Sequence, residues 1–265
     1  MKPFVDPESL NYYRYAGLTT SLCIERILKV YPEKKPNELF KEVWDCLKFD
    51  MQLKNALEKI SSGMFQLFSY NTYERLYGLI IITMINKGVG VRPTLITTTE
   101  TKDLLNSIAI SSEPNIVIGI HNGFAFGAAI FSNLNKKISV ISSSNNILDT
   151  LIRSGANLRL IELINDDLKS LIKMKDLMNR GVLPVNCVDF VSNRGVYECI
   201  NPNLFKFSLQ TRSNLFFIRS EVTEDGYIKI EAIKHDSCGD SLADVHAFID
   251  FHHRTSNIQR RYVIA

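Results

Sequence analysis

Asn115-Ile116-Val117-Ile118-Gly119-Ile120-His121-Asn122-Gly123-Phe124 is the stretch on which the fold turns. Its first half is a short, almost unbroken run of β-branched residues, the pattern of a strand buried on both faces. Asn122-Gly123 then breaks the run, and Phe124–Phe131 behind it has helix length. A buried strand that delivers His121 to a tight turn before a helix is the repeating unit of an open α/β sheet.

Working outward, the same rhythm repeats. Further short apolar runs fall at Thr94–Thr98, Ile138–Ser142, Leu158–Leu163 and Val182–Val185, and helix-length segments at Glu100–Ile110, Ile147–Arg153 and Asp166–Asn179 lie between them. The pattern predicts an α/β fold with a mixed, largely parallel central sheet flanked by helices. Two later strands, Asn214–Ser220 and Gly226–Ala232, flank the turn pair Asp225-Gly226, and Leu242–His253 reads as a closing helix. Before residue 90 the chain reads as helical. Apolar periodicity runs from Asn11 to Val30, Asn37 is placed to cap a helix carrying Leu39, Phe40, Val43, Trp44 and Leu47, and Met51–Leu67 and Thr72–Asn86 follow. The expectation is an N-terminal helical layer over residues 1–90 packed on an α/β region over 91–265, together one compact domain.

Composition narrows the function classes. The chain has 265 residues, 45% apolar and 22% charged, with a net charge of +3 and its basic residues dispersed. That is ordinary globular composition, with no basic arm or aromatic stripe for nucleic acid. Cysteines at 23, 46, 187, 199 and 238 include no CxxC pair, which predicts free thiols in a reducing compartment. MKPFVDPESL has no apolar core for a signal peptide. Leu79–Ile85 is far shorter than the roughly 20 residues of a membrane span, so no integral membrane segment is expected. The predicted location is cytoplasmic, with peripheral membrane attachment as the alternative.

The residues that can carry chemistry cluster after the predicted strands. His121 stands where a strand ends, at the edge of an open α/β sheet where substrates bind. Histidine suits proton abstraction near neutrality, and the following turn and helix start offer N–H donors to developing negative charge. Asn122 and Gly123 belong to that turn. Gly181-Val182-Leu183-Pro184-Val185-Asn186-Cys187-Val188-Asp189 repeats the arrangement. Asp189 is open to orienting His121, holding a positive group, binding substrate or capping the next segment. Cys187 is open to being a nucleophile or a small buried hydrophobe. Arg194 and Arg212 are candidates for clamping an anion, with solvation at the surface as the bland alternative. Asn145 or Asn146 suits a helix cap. His246, Asp250 and His253 recur at helical spacing but match no known metal pattern, so no metal is expected. A glycine-rich phosphate loop, a dinucleotide fingerprint and a serine nucleophile elbow are all missing.

Five pieces in this order carry a resemblance: HNGFAFG from His121, NNILDTLIRSGA from Asn145, GVLPVNCVDF from Gly181, NRGVYE from Asn193 and DGYIKIE from Asp225. Together, over residues 92–263, they resemble the bacterial lipid A biosynthesis (late) acyltransferase family, which moves a fatty acyl group from acyl carrier protein. The resemblance implies an acyltransferase-like α/β fold and a catalytic histidine followed, after four intervening residues, by a carboxylate. His121 matches the histidine, and Asp189 matches the aspartate at the end of a later strand. Phe126 stands at the carboxylate position, so this chain is a divergent member that lacks the usual His–carboxylate pair.

The resemblance and the residues together predict an acyltransferase. An acyl thioester of phosphopantetheine or coenzyme A is the expected donor substrate, with no tightly bound cofactor. Acyl carrier protein is the expected partner and a small amine or hydroxyl compound the acceptor. His121 would act as general base, Asn122 as an oxyanion donor and Asp189 as a partial replacement for the missing carboxylate. Gly123, Asn145, Arg194 and Arg212 are the expected substrate-binding positions. Two alternatives remain open at this stage: a hydrolase, cyclase or condensing enzyme using Cys187 covalently, and a non-catalytic acyl-binding or scaffold protein.

Overall fold

The computed structural model describes residues 7–53, 55–56, 80, 94–120, 124–142, 151, 155–191, 198–223, 225–253 and 262–264. The chain divides into two units, one of residues 1–95, 193–196 and 221–228, the other of 96–192, 197–220 and 229–265.

In the first unit, α1 (Pro7–Val30) buries Ala16, Thr20 and Ile24, spaced four apart so that they form one stripe. It starts four residues before the expected Asn11. After residues 31–35 the chain returns in α2 (Pro36–Leu47), which buries Leu39, Phe40 and Val43. Asn37 is not the cap. Pro36 fixes the first helical φ and has no N–H to satisfy, so the helix begins ahead of Asn37. The Lys35 N–H donates instead to the Glu38 carboxylate at 3.0 Å, and the Asn37 side-chain oxygen accepts from the Thr94 hydroxyl at 3.2 Å. Tyr12, Tyr15 and Leu47 pack around buried Ala16, Leu53 and Ala56. Most of the two further helices expected before residue 90 lies outside the described residues.

The second unit carries nearly all of a seven-stranded sheet. Its strands are β1 (Leu95–Ile96), β2 (Asn115–Gly119), β3 (Ile138–Ser142), β4 (Ile161–Asn165), β5 (Leu183–Cys187), β8 (Asn214–Val222) and β9 (Ile228–His235), in the spatial order β1-β9-β8-β2-β5-β3-β4. Strand β2 runs parallel to both β5 and β8, and β3 runs parallel to both β4 and β5. β8 and β9 are joined by residues 223–227, too short for a crossover, so they form an antiparallel hairpin and the sheet is mixed. Gly226 sits at φ +73° in that turn, and an added Cβ would come within 2.6 Å of Phe40. Only glycine fits both constraints.

Helices cover both faces of the sheet. They are α3 (Thr99–Ile110), α4 (Phe124–Asn133), α5 (Ser170–Asn179), α6 (Asn203–Thr211) and α7 (Ser241–His253). Ile116 and Ile118 of β2 and Leu215 and Phe217 of β8 share one core with Met174, Leu177, Leu204, Phe205, Val245 and Phe248 of α5, α6 and α7. α4 meets the opposite face, where its Gly127 lies against Ile218 of β8. A second sheet joins β6 (Asp189–Val191), β7 (Glu198–Ile200) and β10 (Tyr262–Ile264), with β7 in the middle.

Several elements depart from the sequence expectations. Residues 158–160 form a 3₁₀ turn, and β4 starts only at Ile161. α5 starts at Ser170 because Asp167 first closes a turn, accepting the Lys169 N–H at 2.8 Å. The strand expected from Gly226 begins at Ile228. β6, β7, α6 and β10 had no counterpart in the sequence reading. Among the described residues, no helix is long and apolar enough to cross a membrane.

Candidate functional site

The sheet topology singles out one place on its edge. From β2 the chain passes through α4 to β3, stepping over β5. From β5 it passes through β6, β7 and α6 to β8, stepping over β2 in the opposite direction. Right-handed crossovers travelling in opposite directions leave a sheet on opposite faces. The chains leaving the C-terminal ends of neighbouring β2 and β5 therefore part, and such a switch point is where open α/β sheets accept ligands.

Two of the sequence motifs run from these ends. Gly119 is in register with Cys187, and Ile118 with Asn186. The pairing continues one step further, with the Val188 N–H donating to the Gly119 carbonyl at 3.1 Å. Gly119 has a packing reason to be glycine: an added Cβ would lie 2.9 Å from the Ile218 carbonyl oxygen on β8. Gly119→Ala must push two paired strands apart, with an expected loss of about 1–3 kcal/mol. At Gly127 the nearest atom, 3.2 Å away, is the movable tip of the Ile218 side chain. Gly127→Ala should therefore cost distinctly less than Gly119→Ala in parallel urea unfolding, and equal losses would contradict this packing.

On its other side β5 loosens from β3. The two pair only at Ile138 with Leu183 and Ser139 with Pro184. Further along, a side chain bridges the two strands. The Asn186 side-chain oxygen accepts the Ile141 N–H at 2.6 Å, and its amide reaches the Met174 sulfur at 3.6 Å. Asn186 is 1% exposed, so a buried side-chain oxygen takes the place of a peptide carbonyl in holding β3.

The expected site residues are distributed unequally. Cys187 is half-buried at the end of β5, on the switch-point edge and outside any disulfide. Asp189 is buried and opens β6, opposite Ile200 in antiparallel register. It thus begins a new strand. Arg212 does not join the site. It caps α6 with φ +52° and precedes β8, whose Asn214 is level with Asn115 at the start of β2. That is the N-terminal edge of the sheet, a strand's length from Gly119. His121, Asn122, Gly123, Asn145 and Arg194 lie outside the described residues, as does the side chain of Phe126. Arg219 holds structure together: it donates to the Phe251 carbonyl at 2.6 Å and pairs with Glu231.

A cleft of about 440 Å³ opens at the N-terminal edge, with Glu113, Lys136, Lys175, Asn179 and Gln210 on its walls. The C-terminal ends of α5 and α6 reach it, so carbonyl groups rather than N–H donors face it. Lys136 is already engaged, donating to the Ser111 carbonyl at 3.1 Å. Among the described residues no three His, Cys, Asp or Glu side chains converge on a metal position.

The sequence reading missed the pairing of His235 with Asp244. The ring nitrogen Nε2 lies 2.7 Å from one Asp244 oxygen, and Ser237 donates to the other at 2.7 Å. Nothing in the sequence marked it, because the partners come from the end of β9 and the first turn of α7. Compared with protein-family models the sequence matches none, and no curated protein matches it.

Proposed function

We propose that the chain is an acyltransferase that takes an acyl group from a phosphopantetheine or coenzyme A thioester and delivers it to a small amine or hydroxyl compound. One observation supports the reading above the others: Gly119 and Cys187 stand in register at a switch point, so the motifs HNGFAFG and NCVDF continue from neighbouring strand ends. His121 follows Gly119 by two residues, and the motif order resembles that of the late acyltransferases.

In this reaction the acceptor's nitrogen or oxygen attacks the thioester carbonyl carbon while the His121 imidazole takes its proton. The carbonyl oxygen becomes an oxyanion, stabilised by Asn122 and the N–H groups that open α4. The C–S bond then breaks, and the leaving thiolate takes the proton back from His121. Phe126 supplies no carboxylate to stabilise the imidazolium. An amine, nucleophilic before it loses a proton, needs less help from the base than an alcohol, so N-acylation fits this site best.

Cys187 supports a second route, because its thiol is half-buried on the same edge. There the Cys187 sulfur attacks the thioester carbonyl, the donor's C–S bond breaks and the departing thiolate takes up the Cys187 proton, leaving an acyl-protein for hydrolysis or transfer.

Incubating the protein with acyl carrier protein and coenzyme A thioesters plus a panel of amines tests these readings through the masses of products and protein. Direct transfer gives acylated amine with the protein's mass unchanged. Accumulation of acyl-protein that Cys187→Ala removes gives the covalent route. Saturable thioester binding without turnover overturns both and leaves an acyl-binding protein.

A further inference from the structure

Strand β4 ends the seven-stranded sheet: it pairs with β3, and among the described residues no strand pairs with its other side. In a parallel pair, alternate residues turn both backbone polar groups toward the same neighbour. The Asp166 N–H donates to the Ser142 carbonyl at 3.3 Å, so Ile164 and Glu162 face β3 as well. Ile161, Leu163 and Asn165 therefore direct their N–H and C=O groups to the open edge. Two of these groups are engaged within the chain. The Ile161 N–H donates to the Leu158 carbonyl, and the Asn165 carbonyl accepts the Asp167 N–H at 2.9 Å. The Ile161 carbonyl, both groups of Leu163 and the Asn165 N–H have no partner among the described residues.

We infer that β4 pairs antiparallel with β4 of a second copy of the chain, about a two-fold axis at Leu163, joining two sheets edge to edge. Each Leu163 N–H then meets the other Leu163 carbonyl, and each Asn165 N–H meets the other chain's Ile161 carbonyl. The one bond this ladder omits, from Ile161 N–H to Asn165 carbonyl, lies between the two groups already satisfied at home. Every open donor thus faces an open acceptor, a complementarity of partial charge that only a copy supplies. A regular strand of another protein would bring a carbonyl against the occupied Ile161 N–H and an N–H against the occupied Asn165 carbonyl, leaving both unmet. The side chains agree with the same axis. Leu163 is 41% exposed and would pack against its own copy. Exposed Leu158 and Leu168 stand five residues before and after Leu163, so the axis carries each toward the other. The contact is isologous and closes as a dimer, and it covers an edge that would otherwise recruit strands indiscriminately.

The test follows the mass of the full chain by sedimentation over a concentration series. The two Glu162 carboxylates fall diagonally across the joined sheet, roughly 7–8 Å apart, so the buffer carries enough salt to screen them. The expected result is a doubled mass, with hydrogen exchange slowed at the Leu163 and Asn165 amides and unchanged at Ile161. Leu163→Pro removes an N–H that faces away from β3, so the strand should survive. The concentration at which half the chains pair should rise by about tenfold or more. Leu163→Cys should link to its own copy on oxidation, located by peptide map, because Cα atoms opposite each other at such a position lie about 5.5 Å apart. Asn165→Cys should not. The mass of a single chain at every concentration overturns the inference. So does a dimer that Leu163→Pro leaves unchanged, or one in which Asn165→Cys links as readily as Leu163→Cys. The two cysteine variants decide the matter even if the proline variant fails to fold.

Discussion

Replacing His121 with alanine is expected to lower the rate of acyl transfer by about 10²–10⁴-fold, the usual contribution of a positioned general base. The loss should fall on kcat with thioester binding unchanged, because in the proposed reaction the imidazole acts on the acceptor's proton and not on the donor's pantetheine arm. It should also depend on the acceptor, with a smaller loss for an amine than for an alcohol. A pH–rate profile supplies a second readout: an acid limb is expected of the wild type and should disappear in the variant. If His121→Ala turned over at the wild-type rate with both acceptor types, His121 would not be the base. The Cys187 route would then be the one left to test.

Asp244→Ala is expected to destabilise the fold by about 3 kcal/mol, as befits removing one member of a buried charged or hydrogen-bonded group. Asp244 is fully buried in the first turn of α7, and each of its oxygens has a partner at 2.7 Å, His235 on one and Ser237 on the other. The His235 ring stacks on Phe217, with centroids 4.7 Å apart, so the pair ties α7 to the centre of the sheet core. Alanine removes both acceptors and leaves the half-buried His235 ring and the Ser237 hydroxyl without this partner. For a chain of this size such a loss lowers Tm by about 10 °C. Asp244→Asn keeps one side-chain oxygen and should lose roughly half as much. Thermal and urea unfolding of both variants check the prediction, and a loss below about 1 kcal/mol for alanine would contradict the role given to this pair.

How far the sequence revealed this arrangement depended on the kind of residue. β3 was read to its last residue, and β2, α3 and α7 to within one, because continuous apolar runs and clear breaks leave little choice. The segments missed were those whose pattern is ambiguous. Asn203–Thr211 carries a short burst of apolar residues that suits a strand as well as a helix, and the three-residue β6, β7 and β10 have no periodicity to find. Arg212 was a candidate anion clamp because arginine suits that role, but it precedes β8 and so lies at the far edge of the sheet. Asn186 was hidden for another reason. Its value comes from a strand 45 residues away, and no local pattern expresses that link. The ends of β2 and β5 were legible to within two residues, but only the sheet order brought Gly119 and Cys187 into register.

The reading depends most on which edge of the sheet receives the thioester. A structure of the protein bound to a non-hydrolysable acyl-pantetheine analogue measures this directly. The account predicts the analogue's carbonyl at the ends of β2 and β5, beyond Gly119 and Cys187, with the pantetheine arm running outward from that edge. An analogue seated at the opposite edge, in the cleft walled by Lys136 and Lys175, would contradict it.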